Sequence, residues 1–102
     1  MLPQLAPGRY LAIEDTNETV LLPLDNDMVR VERSPANDIM LDDASVSRRH
    51  ALLTHHGEAT FMLDDRHLNG VRVNGERVSE APLRDGDALV LGNVAVRYVE
   101  RT

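Results

Sequence analysis

The side chains of this sequence able to do chemistry gather in three short polar stretches. The first carries Arg33, between Val31 and Asn37; the second carries Ser47, Arg48, Arg49 and His50; the third carries His67, Leu68, Asn69 and Gly70. A serine three residues before a histidine suggests a nucleophile and its base. That spacing alone is uninformative, and neither an acidic orienter nor an oxyanion element accompanies the pair, so no catalytic residue is assigned. Asp38, Asp42, Asp43, Asp64 and Asp65 are oxygen ligands of the kind calcium takes. The spaced ligand loop with its glycine and terminal glutamate is absent, and turn capping accounts for them better. His55 and His56 are neighbours, which a strand sends to opposite faces, and no third ligand cluster stands nearby. They are expected to mark a polar hairpin tip before Gly57. Neither a metal nor a cofactor is expected.

The elements that must position these residues are strands. Tyr10–Ile13, Val20–Leu22, Val29–Val31, Ile39–Leu41, Ala51–Leu53 and Thr60–Leu63 are short apolar or alternating runs, each cut off by turn residues such as Asp25–Asp27, Ser34–Asn37 and Asp85–Asp87. Alternation on both sides of Asn74-Gly75 predicts a tight type I′ hairpin over Val71–Val78, and a second hairpin is expected across Gly92 and Asn93. No stretch has the spacing of an amphipathic helix. Many short strands without intervening helices predict an all-β chain, a β-sandwich of two mainly antiparallel sheets with recognition loops at one end. Residues 1–8 are expected to form a flexible N-terminal tail and 9–102 the domain.

With 102 residues, 42% hydrophobic and 27% charged, the chain suits one globular domain with its own core. A net charge of −6 and only three aromatic residues, Tyr10, Phe61 and Tyr98, speak against nucleic acid, whose binding needs a basic groove and stacking rings. No apolar run is long enough to insert in a membrane and no signal peptide is visible, so a cytoplasmic location is expected. All 11 basic residues are arginine. Arginine's planar fork suits phosphate better than lysine does, and biased codon usage would produce the same count.

Read together, the order and spacing of the arginine after a strand, the Ser-x-x-His element and the Asn-Gly element resemble the forkhead-associated (FHA) domain family in its bacterial type. Leu83–Asp87 and Val90–Gly92 resemble its closing pattern, and the likeness runs from about Arg9 to Val99. The resemblance implies an FHA-type sandwich that binds threonine-phosphorylated proteins or peptides, the products of Ser/Thr protein kinases, in signal transduction. It implies that Arg33 and Ser47 hold the phosphate, that Asn69 holds the peptide main chain, and that His50 braces the recognition loop without touching ligand. Arg48 and Arg49 would add donors and positive potential, and Gly70 a backbone angle that a side chain obstructs. The residue types suit the ligand. A phosphothreonine carries roughly −1.5 to −2 charges and several acceptor oxygens, which an arginine fork and a short hydroxyl bond can meet.

The chain departs from the family pattern at two places. Glu32 stands where glycine usually precedes the arginine, and His67 and Leu68 replace a frequent Ser-Thr. Leu68 cannot donate to phosphate; His67 either compensates as an imidazolium or is an exposed loop residue with no ligand role. The alternative function is a degenerate FHA domain acting as a phosphate-independent interaction or scaffold module. If His50 braces the loop, His50→Ala lowers the melting temperature in a thermal melt; an unchanged value counts against that role.

Overall fold

The computed structural model describes residues 5–14, 19–32, 39–40, 51–64 and 70–102, which form eleven strands and no helix. In chain order these are β1 (Gly8–Glu14), β2 (Thr19–Pro23), β3 (Met28–Glu32), β4 (Ile39–Met40), β5 (Ala51–His56), β6 (Ala59–Asp64), β7 (Val71–Val73), β8 (Glu76–Val78), β9 (Glu80–Leu83), β10 (Ala88–Leu91) and β11 (Val94–Arg101). They make a six-stranded sheet in the order β2-β1-β11-β10-β7-β8 and a five-stranded sheet in the order β4-β3-β5-β6-β9. Every recorded pairing is antiparallel except that of β3 with β4, which is parallel. The all-β sandwich expected from the sequence is the fold found.

Alternation explains how the two sheets close on each other. Leu11, Val71, Leu89, Leu91, Val96 and Tyr98 of the larger sheet meet Val29, Val31, Ala51, Leu53, Met62 and Leu83 of the smaller in one buried cluster. Residues between them in sequence face the other way, as the two-residue period of a strand requires. No helix among the described residues is long and apolar enough to cross a membrane.

The β7–β8 hairpin has the expected geometry. Asn74 (φ 51) and Gly75 (φ 88) are consecutive residues of positive φ, the requirement of a type I′ turn. The Asn74 carboxamide also ties the hairpin to its neighbour: Nδ2 donates to Asp87 Oδ1 at 3.0 Å, and Oδ1 accepts from the Ala88 amide at 2.9 Å. Asp87 in turn caps its own turn, accepting from the Arg84 amide at 2.8 Å. The second hairpin likewise forms, with Leu91 opposite Val94.

One strand was not foreseen. β9 has four residues and contains Pro82, and only its Leu83 is buried, so its apolar pattern is too brief to read. Proline is tolerated there because β9 is an edge strand, where the missing N–H breaks no ladder. The connection is equally compressed. β8 ends the six-stranded sheet and β9 ends the five-stranded one, so the chain passes between sheets at Ser79, whose carbonyl accepts from the Asp64 amide at 2.9 Å.

A polar chain crosses the interior between the sheets. Tyr98, fully buried, has its hydroxyl 3.0 Å from Thr60 Oγ1 and 2.9 Å from Glu100 Oε1. His55 Nδ1 is 3.1 Å from the same Thr60 oxygen. The phenol owns one proton, which goes to the carboxylate because that oxygen brings none. Thr60 then gives its proton to the phenol oxygen, and His55 must donate from Nδ1 to Thr60. The buried hydroxyls are satisfied in series, and no buried side-chain polar atom among the described residues is without a partner.

Burial pushes the Tyr98 phenol up to about 12; the Thr60 bond opposes the rise, and Glu100 adds to it. A raised folded-state value means that the folded protein favours the protonated phenol. The resulting stability is full below about pH 10 and is lost as pH climbs through about 12. No lysine titrates in that window. Denaturant melts at rising pH are expected to show this loss in the parent protein, and Tyr98→Phe should remove that dependence. At neutral pH the same substitution leaves the Thr60 proton without its acceptor and should cost about 1–3 kcal/mol.

Candidate functional site

The strand ends that carry the three polar stretches lie at one end of the five-stranded sheet. Val31 pairs with Ala51, and Ala51 pairs with Asp64, so the exit of β3, the entry of β5 and the exit of β6 form one row. Ile39 pairs with Val31 from the other side, which adds the entry of β4. Adjacent strands are about 4.8 Å apart, so the row from β3 to β6 spans roughly 10 Å. Val31 and Ala51 are 1% and 2% exposed; each is pinned in the core, and the departure points cannot shift independently.

The six-stranded sheet joins this end through Ser79. Its bond to Asp64 brings the end of β8 against the end of β6, and Val78 pairs with Val71. Gly70, immediately before Val71, is therefore at the same end. It is buried and has φ 70, in the left-handed region that side chains disfavour. A second reason for glycine was not visible beforehand. The Arg77 guanidinium lies against it, so that a Cβ on Gly70 would stand 2.6 Å from Arg77 Nε and 3.0 Å from Cζ.

Of the expected site residues, Gly70 is the one that the structure describes. Arg33, Ser47, Arg48, Arg49, His50, His67, Leu68 and Asn69 lie outside the described residues. Arg77 was missed by sequence reasoning, although a signal existed. Extending the Asn74-Gly75 hairpin register one residue past Val71 and Val78 makes positions 70 and 77 diagonal neighbours on one face.

Other surface features are chemically weaker. A groove of about 490 Å3 runs between β8 and β9, where Arg84 stands with Glu76 and Asp87. A depression of about 460 Å3 at the opposite end sets Arg9 and Arg101 among Glu58 and Glu100. Both mix the two signs of charge, and Arg101 is already paired with Asp85 at 3.1 Å. His55 and His56 do form the polar end of a hairpin, with His56 opposite Ala59. They diverge, His55 bonding Thr60 inside and His56 lying 6.4 Å from the Phe61 ring. Among the described residues no group of three or more potential ligands could hold a metal ion.

Comparison with known proteins bears on the same region. The model of the FHA domain matches residues 29–92. The chain is 39% identical over 74 residues to an ABC transporter ATP-binding/permease protein of Mycobacterium tuberculosis, a match covering 72% of this chain and 9% of that one. It is 42% identical over 76 residues to the glycogen accumulation regulator GarA of Mycolicibacterium smegmatis, covering 74% and 48% respectively. The chain thus spans less than half the length of either relative. Among solved structures, Mycobacterium tuberculosis EmbR in complex with a low-affinity phosphopeptide superposes with a TM-score of 0.82 at 32% identity, over 91% of this chain and 25% of that one.

Gly70→Ala is expected to destabilise the protein by about 1–2 kcal/mol, the cost of a side chain in left-handed backbone. The flexible end of Arg77 can move aside for little. Thermal melts check this, as a fall in melting temperature of several degrees.

Proposed function

The chain belongs to the FHA domain family, and on that premise we propose that it is a phosphothreonine-dependent protein–protein interaction module that recruits threonine-phosphorylated partners in signalling. The observation carrying this reading is the row of Val31, Ala51 and Asp64. Three polar stretches separated in sequence start or finish on one rigid edge about 10 Å across, a span suited to a phosphorylated side chain and its flanking backbone. The family match over residues 29–92 takes in all three.

In this reading Arg33 contributes a charge-assisted fork to the phosphate, and Ser47 a short hydroxyl bond, with Arg48 and Arg49 raising the local potential. Asn69 holds the peptide main chain, both donating to it and accepting from it. His50 supports the loop. The domain turns over no substrate; it acts in the cytoplasm on the products of a Ser/Thr protein kinase. The net charge of −6 makes the contact depend on these few local donors rather than on long-range attraction. Glu32 and Leu68, at positions where the family favours glycine and a hydroxyl, weaken the affinity without removing the principal ligands.

EmbR, similar in fold and sequence, has been solved with a phosphopeptide, which supports the same ligand class here. Titration with a phosphothreonine peptide library is expected to yield binders whose affinity disappears on phosphatase treatment. Arg33→Ala should reduce that affinity by roughly tenfold to a hundredfold or more while the fold stays intact, since hydrogen bonds to a charged group are the strong ones. Binding indifferent to phosphatase would mean a phosphate-independent scaffold.

A further inference from the structure

β2 ends the six-stranded sheet, and among the described residues no strand pairs with its outer side. Strands at sheet ends are ordinarily kept from further pairing by shortness, charge or proline. The other sheet ends have such protection. β4 has two residues; β8 has three, with Glu76 and Arg77 exposed; β9 carries an exposed Glu80 and Pro82. β2, Thr19-Val20-Leu21-Leu22-Pro23, has five residues and no charge, and its one protective feature is the proline at its last position. Val20, 43% exposed, is one of the two large apolar side chains left exposed among the described residues.

Hydrogen-bond parity defines what the outer side offers. The Leu24 amide donates to the Arg9 carbonyl at 2.8 Å, and the neighbouring residues Pro23 and Tyr10 are opposite each other, so Arg9 and Leu24 are a hydrogen-bonded pair. Along an antiparallel ladder such pairs alternate with non-bonded ones. Val20 and Leu22 therefore turn their N–H and C=O groups toward β1, whereas Thr19, Leu21 and Pro23 turn theirs outward. Pro23 falls where its missing N–H costs β1 no bond.

The outward groups match those of a second copy of the same strand. Antiparallel pairing with Leu21 opposite Leu21 of the copy places a two-fold axis between them, the symmetry of an isologous dimer. The two Leu21 residues then exchange N–H···O=C bonds, and each Thr19 amide donates to the Pro23 carbonyl of the copy, so every outward N–H has an acceptor. On the core-facing side, where Leu22 already packs against the core, Val20 of each chain comes opposite Leu22 of the other. These are non-hydrogen-bonded pairs, the closer kind, with Cα atoms about 4.5 Å apart. Because β2 is uncharged, a two-fold axis through it opposes no like charges, as it would if β8 paired with itself about Arg77.

We propose that β2 is a self-association edge: two copies of this chain join by antiparallel β2–β2 pairing centred on Leu21, which merges their six-stranded sheets into one. The joint has five residues a side, against roughly 20–30 in a standard interface, and each chain carries a net −6. The dimer is accordingly weak and reversible, and salt that screens the repulsion strengthens it. Its formation does not depend on phosphopeptide binding.

The experiment is sedimentation equilibrium from micromolar to millimolar protein, at low and high salt, on the parent, Leu21→Lys, Leu21→Glu and an equimolar mixture of the two variants. The average mass of the parent is expected to rise with concentration from monomer toward dimer and no further, and sooner at high salt. Either variant alone sets like charges directly opposite and should weaken association about fivefold or more, with the melting temperature within a few degrees of the parent. In the mixture opposite charges meet, and association should be at least about fivefold tighter than for either variant alone. If a variant fails to fold, amide exchange in the parent carries the test: the Thr19 and Leu21 amides should slow as concentration rises, while those of Val20 and Leu22, bonded to β1, stay constant. A parent that remains monomeric throughout, growth beyond a dimer, a mixture no tighter than its components, or a Leu21 amide indifferent to concentration would each overturn the assignment. So would a monomeric parent that takes up an unrelated extended peptide along β2, which would give the edge to another partner.

Discussion

The register of β5 between β3 and β6 is the constraint on which the rest of the structure depends. Ala51 is opposite Val31 on one side and Asp64 on the other, and it is buried, as is Leu53 two residues on. The side-chain period of a strand is two, so a slip of one residue would turn both out of the core and bring Leu52 and Thr54, now half-buried on the other face, into it. The slip would also draw one polar stretch back and push another forward. Core packing and the placement of the recognition end are thus one constraint, with hydrophobic burial enforcing an arrangement that has consequences for binding.

Polar ties between the sheets keep that edge from shearing. The hydrophobic contact of two sheets is non-directional and permits small sliding, whereas hydrogen bonds do not. Where the chain crosses from one sheet to the other, the Asp64 amide donates to the Ser79 carbonyl and continues the β6–β9 register, and near the opposite end His55, Thr60, Tyr98 and Glu100 bond in series across the interior. Buried networks of this kind are costly when incomplete and specifying when complete; this one is complete because each hydroxyl both donates and accepts. The Asn74 carboxamide performs a comparable task on a smaller scale, joining the β7–β8 hairpin to the turn at Asp87.

Charge is arranged locally. A domain with a net −6 offers no general attraction to an anion, and the described depressions away from the recognition end mix acids with arginines. The phosphate recognition proposed for such a domain is a matter of short-range geometry, which makes the accuracy of the supporting backbone matter more than the sum of charges. Gly70, buried and at φ 70, is the expected site residue that the structure describes.

Much of this was legible in the sequence. Alternation and turn residues determined the all-β class, six of the strands and both hairpins, because strand pattern and turn chemistry are local and Asn74-Gly75 admits few other conformations. The motif order determined the family, and positive φ at Gly70 followed from residue type. Tertiary structure alone decided the rest. β9 is too short and too proline-marked to declare itself, and it exists because β6 offers it an edge. The bond chain through Thr60 and Tyr98 joins residues 38 positions apart. The contact of Arg77 with Gly70 depends on a diagonal across a hairpin. Each of these is a relation between residues that the chain brings together only on folding, and a linear pattern records the periods of single elements, not the distances between them.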